Sequence, residues 1–69
     1  MNIIKKAEIN IHKSPVGRYF LDISSQFYDA LETFPKLDDL VNRLKTINKS
    51  VKIEDLDNII KEIKISDKS

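Results

Sequence analysis

Arg18-Tyr19-Phe20-Leu21-Asp22-Ile23-Ser24-Ser25-Gln26-Phe27-Tyr28-Asp29-Ala30-Leu31-Glu32-Thr33-Phe34-Pro35 is the stretch on which the fold turns, because its hydrophobic period changes partway along. Over residues 18–23 the aromatic Tyr19 and Phe20 and the β-branched Ile23 favour a strand, and Tyr19, Leu21 and Ile23 share one face, the pattern of a half-buried strand. At Ser24-Ser25 the spacing shifts. Serine suits a helix N-cap, Phe27, Ala30, Leu31 and Phe34 then fall within one arc of a helix, and Pro35 would end it. The sequence therefore predicts a strand followed by a first helix over residues 25–34.

Upstream, residues 3–11 alternate with period 2: Ile3, Lys5, Ala7, Ile9 and Ile11 on one side, Ile4, Lys6, Glu8 and Asn10 on the other. The pattern is interrupted near Lys5-Lys6, so one strand, or two short ones with a bend, is expected. Lys13-Ser14-Pro15-Val16-Gly17 joins a φ-fixing proline to the only glycine of the chain and predicts a turn, which makes the flanking strands antiparallel.

Downstream, Leu37, Leu40, Val41, Leu44 and Ile47 recur at helical spacing, with Asp38 and Asp39 at the positive end of the dipole, and predict a second helix over residues 36–46. Asn48-Lys49-Ser50 reads as a connection. Ile53, Leu56, Ile59, Ile60 and Ile63 share a single arc and predict a third helix over residues 53–64. Ile65 lies off that arc, so residues 66–69 read as a frayed tail. The expected fold class is α+β: one domain over residues 1–65, a small N-terminal antiparallel sheet followed by three helices. The last two helices can form a helix-turn-helix, hence a winged-helix-like arrangement.

A chain of 69 residues without cysteine must hold itself together by its core alone, and a domain of this size buries only about 60% of its unfolded surface. Apolar residues make up 41% of it, enough for folding to be expected. Twelve basic and 11 acidic side chains are interspersed to a net charge of +1, which gives a polyphosphate no one-signed footprint. Strong non-specific nucleic-acid binding is not expected. Neither a membrane-spanning run nor a signal-peptide pattern is present, so a cytoplasmic location is expected.

Catalysis needs a nucleophile, an acid–base pair or a phosphate cradle, and none of the usual spacings occurs. His12, the only histidine, reads as a solvated side chain beside a turn. Asp38 and Asp39 point about 100° apart on a helix and suit its first turn, and Asp55 and Asp57 fall on a polar helix face. No enzymatic activity, cofactor or metal is expected. For a DNA reader, the recognition helix would open with Glu54, Asp55 and Asp57 against phosphates, with only Lys52, Lys61 and Lys64 nearby to offset them.

Peptide binding asks for less: an exposed sheet edge and an apolar groove beside it. Phe20 alternates away from Tyr19, Leu21 and Ile23, so it is either a large apolar group on an uncovered face or a core residue of a sheet covered on both sides. Tyr28 sits at the margin of its apolar arc and reads as a partly exposed core tyrosine.

Gly17-Arg18-Tyr19-Phe20-Leu21-Asp22-Ile23-Ser24, followed by Phe27-Tyr28-Asp29-Ala30-Leu31, then Leu37-Asp38-Asp39-Leu40-Val41 and Ile53-Glu54-Asp55-Leu56, resembles the PqqD-like precursor-peptide recognition elements of ribosomal peptide natural-product biosynthesis. That family has a winged-helix-like fold of an N-terminal sheet, usually of three strands, and three helices; its common glycine near the start of the second helix is here replaced by Pro35-Lys36. The resemblance implies a non-catalytic adaptor that takes the leader of a precursor peptide as an added strand against the third helix and presents it to a maturation enzyme. The peptide-binding positions it implies are Tyr19, Phe20, Leu21 and Ile23 on the strand, and Asn58, Ile60 and Lys61 on the helix. The alternatives are a winged-helix regulator that binds DNA as an oligomer and a general protein-interaction module.

Overall fold

The structure is a computed structural model that describes residues 2–68, with Lys68 described by its backbone only. Strands β1 (Ile3–Ile4), β2 (Ile9–Lys13), β3 (Tyr19–Ser24) and β4 (Asp29–Phe34) are followed by helix α1 (Leu37–Ser50), strand β5 (Lys52–Ile53) and helix α2 (Leu56–Lys68). The interruption at Lys5-Lys6 is a bend: a single 3-10 turn, Lys6–Glu8, separates β1 from β2.

β2, β3 and β4 form an antiparallel sheet in that order, with β3 at its centre. The first hairpin turns through residues 14–17, where Gly17 has φ +82 and its amide donates to the Ser14 carbonyl at 3.0 Å. Ile11 lies opposite Leu21 and Ile9 opposite Ile23, so the odd-numbered residues of β2 and β3 share the inner face. Leu21 and Ile23 are buried there beneath the helices.

Residues 25–34, expected as a helix, form instead a turn and the strand β4, so the described residues hold two α-helices rather than three. Ser25 does make cap-like bonds. Its hydroxyl accepts from the amides of Phe27 (3.2 Å) and Tyr28 (2.9 Å), but its own amide donates to the Tyr28 carbonyl (3.1 Å) and closes a hairpin turn. In β4, Ala30, Glu32 and Phe34 lie opposite Ile23, Leu21 and Tyr19 on the inner face. Leu31 points the other way and is 71% exposed. Glu32 is tolerated inside because Arg43 of α1 donates to it at 3.0 Å and also reaches the Tyr28 hydroxyl at 3.1 Å.

α1 runs to Ser50, so Asn48-Lys49-Ser50 is its last turn and not a connection. It buries Leu40, Val41, Leu44 and Ile47, the stripe that the helical spacing marks. The Asn48 side chain accepts the Ile53 amide at 2.8 Å and guides the chain into β5, which pairs in parallel with β1, Ile4 opposite Ile53. α2 starts at Leu56, after Asp55 at φ 55, and continues through Ile65 to Lys68. Of the tail expected over residues 66–69, the first three are therefore helical, and Ser69 lies outside the described residues. Ile4, Leu21, Ile23, Leu40, Leu44, Ile47, Ile53 and Ile59 make one core, drawn from every element except β2 and β4. Each fully buried aliphatic side chain contributes about 1.5–3 kcal/mol.

Candidate functional site

The sheet offers two free edges, and they differ in what lies beside them. In the β2–β3 hairpin the Ser14 amide donates to the opposed Arg18 carbonyl at 2.7 Å. Hydrogen-bonded and non-hydrogen-bonded pairs alternate along an antiparallel ladder, so His12/Phe20 and Asn10/Asp22 are the next bonded pairs. The backbone groups of Ile9, Ile11 and Lys13 consequently point away from β3. The Ile9 amide is taken by the Lys6 carbonyl at the end of the 3-10 turn. The Ile9 carbonyl and both backbone groups of Ile11 and Lys13 face the free edge.

Between that edge and α2 lies a groove of about 400 Å³. Ile9 and Ile11 line it from the strand, Ile59 and Ile63 from the helix, one turn apart. Ile59 belongs to the core, so the groove is continuous with the hydrophobic interior. Each end carries an ion pair. At one, Lys6 Nζ meets Glu62 Oε1 at 2.9 Å. At the other, Lys13 Nζ lies 3.8 Å from Asp67 Oδ1 and 5.5 Å from the centre of the Tyr19 ring. The Tyr19 hydroxyl donates to the same Asp67 carboxylate. That hydrogen bond, then partial desolvation and the negative charge of Asp67, raise the Tyr19 pKa above its ordinary 10.0, with Lys13 opposing in part.

Of the seven residues singled out from the sequence, Tyr19 alone lines this groove. Leu21 and Ile23 are buried at 0% and 1% exposure, and β3 is paired on both sides, so neither their side chains nor their backbones are within a ligand's reach. Phe20 is on the helix-free face of the sheet, half-buried, its ring stacked on His12 with centroids 5.0 Å apart and planes 10° apart. Asn58 and Lys61 are exposed on α2, and Ile60 is half-buried, outside the groove lining. The helix flank that faces β2 is the neighbouring one, carrying Ile59, Glu62, Ile63, Ser66 and Asp67. The i, i+4 spacing of Ile59 and Ile63 was the available signal for it, whereas Asp67 was hidden in the stretch read as a tail.

Among the described residues no three His, Asp or Glu side chains gather as a metal site would require, and no helix is long and apolar enough to cross a membrane. Comparison with protein-family models, with curated proteins and with solved structures finds no match to this chain.

Proposed function

We propose that this protein is a non-catalytic peptide-binding adaptor whose ligand is an extended segment added as a strand to the free edge of β2. The observation that carries the reading is the coincidence of unpaired backbone groups at Ile9, Ile11 and Lys13 with an apolar groove between the same strand and α2. An added strand gains main-chain hydrogen bonds from the edge, and its alternate side chains enter the groove. Apolar residues two apart in the peptide meet Ile9, Ile11, Ile59 and Ile63, and the apolar lining disfavours a charged side chain between the two ion pairs.

The sequence resemblance to PqqD-like recognition elements supplies the ligand class: the leader of a ribosomally made precursor, held for a maturation enzyme at high effective concentration. In the winged-helix-like scheme of that family, α1 and α2 stand for the second and third helices, and the segment that would supply the first is β4. The mode of binding is a strand laid beside the last helix, and the open edge, which the resemblance leaves unassigned, is that of β2.

A proton–nitrogen NMR titration with peptides encoded beside the gene, and with a DNA duplex as control, tests the reading. Peptide-induced shifts confined to residues 9–13 and 59–67, lost in Ile63→Lys with an otherwise intact spectrum, are the expected result. No response to peptide with saturable shifts on DNA overturns it in favour of a regulator.

A further inference from the structure

The second free edge, that of β4, has a different character. Ser25 and Tyr28 are the bonded pair at the turn, so Ile23/Ala30, Leu21/Glu32 and Tyr19/Phe34 continue the bonded pairs between β3 and β4. The backbone groups of Asp29, Leu31 and Thr33 therefore point outward, away from β3. The one inward-pointing charge on β4, Glu32, is neutralised by Arg43 at 3.0 Å. The strand is regular over its whole register and holds no lysine, proline or bulge between Asp29 and Phe34, the devices by which edges are usually blunted. At its middle stands Leu31, 71% exposed, on the face that carries no helix.

We propose that this edge pairs with the same edge of a second copy, antiparallel about a twofold axis at Leu31, joining two sheets into one of six strands. The strand is complementary to itself in that register and no like charges are opposed. Leu31 meets Leu31 of the second copy, Asp29 lies opposite Thr33, and Ala30 lies opposite Glu32. Arg18 completes the match. Its guanidinium already donates to the Thr33 hydroxyl at 3.2 Å, which brings it beside Asp29 of the second copy, and the twofold axis repeats this Arg18–Asp29 pair on the other side. Beyond Asp29, the same register brings Tyr28, at the end of the turn, beside Phe34 of the second copy. Pro35 lacks an amide, so the ladder stops there. Leu31, one of the four large apolar residues exposed among the described residues, is thereby covered. Three opposed pairs exchange about six backbone hydrogen bonds. So short an edge buries less than the roughly 1,200 Å² of a standard interface, which makes the dimer a dissociable one. It leaves both β2 edges free at the ends of the sheet, so it stands whether or not these bind peptide.

The chain has no cysteine, which makes a single introduced thiol a clean reporter. In a bonded antiparallel pair the Cα atoms are about 5.5 Å apart, within disulfide range. Leu31→Cys is expected to form a covalent dimer under mild oxidation far faster than Val16→Cys, whose side chain is 81% exposed in the first turn. Sedimentation of the unmodified protein is expected to show a concentration-dependent dimer, weakened at least about tenfold by Leu31→Lys, a loss of roughly 1.4 kcal/mol. Arg18→Asp weakens it too, and Arg18→Asp with Asp29→Arg restores it in part. The spectrum of each variant reports that the monomer fold is intact. A monomer at all concentrations with equal oxidation of the two cysteine variants overturns the proposal. So does a dimer that survives Leu31→Lys.

Discussion

The Tyr19 hydroxyl donates to the Asp67 carboxylate across 48 residues of sequence, tying the first residue of β3 to the last turn of α2. The bond fixes the far end of the helix over the strand and closes one end of the groove. Its dependence on pH follows from its chemistry. The unfolded tyrosine titrates near about 10, and the folded one titrates higher, so the stabilisation by this bond is complete below about pH 10 and is lost as pH rises through the folded value. The urea midpoints of the wild type and Tyr19→Phe should therefore differ by a constant amount between about pH 7 and 9, and converge in stronger alkali. A gap that is unchanged above the folded pKa would show that the hydroxyl contributes nothing through Asp67.

Leu44 is fully buried where α1 meets the core, whereas Phe20 is half-buried on the opposite face of the sheet, against an exposed histidine. Leu44→Ala is expected to cost about 2–5 kcal/mol, a large part of the roughly 5–15 kcal/mol that holds a domain together. Phe20→Ala should cost roughly 1–2 kcal/mol, because only part of its ring leaves water on folding. Urea unfolding of the two variants checks the order. Phe20→Ala should also leave peptide affinity at the β2–α2 groove unchanged, since its side chain is on the other side of the sheet.

Residues 29–34 give a spectroscopic test of their own. In the non-bonded pairs of an antiparallel ladder the Cα atoms are only about 4.5 Å apart, close enough for strong Hα–Hα Overhauser contacts. Such contacts are expected for Phe20–Thr33 and Asp22–Leu31, and equally for Ile9–Ile23 and Ile11–Leu21. A helix over the same residues would show amide–amide contacts in sequence and none of these.

Gly17→Ala tests the first turn. A Cβ at this position would meet nothing within 4 Å, so any loss arises from the backbone, which holds φ at +82. The expected cost is about 1–2 kcal/mol, and Gly17→Asn should recover part of it. Thermal or urea unfolding of the two variants measures both.

Much of this architecture is legible in the sequence. The alternation of Tyr19, Leu21 and Ile23, the turn at Pro15-Val16-Gly17, the stripe of α1 and the Leu56, Ile59 and Ile63 spacing of α2 are kept by the structure, whereas Ile53, expected to open the last helix, belongs to β5 because it pairs with β1. β4 was hidden because its polarity is inverted at two positions: Glu32 faces inward to meet Arg43, and Leu31 faces water. With those two exchanged, Phe27, Ala30, Leu31 and Phe34 imitate a helical arc, and Ser25 strengthens the imitation with bonds that serve a hairpin equally well. β1 and β5 are each two residues long, too short for any periodicity to appear. The candidate site was half-visible. Tyr19 could be named from its strand, but the flank of α2 that meets β2 is set by how the helix docks. A rotation of one residue, about 100°, separates Asn58 and Lys61 from Ile59 and Glu62.

The pairing of β1 with β5 also bears on the order in which the molecule can be made. Ile4, among the most deeply buried side chains, lies opposite Ile53, so an anchor made before both hairpins and α1 waits for a partner that emerges only after them. The hairpins are local and can form early, while the closing contact joins residues far apart in sequence. During translation the nascent chain thus carries Ile4 without its partner strand, and the fold locks only when the link between the helices has left the ribosome.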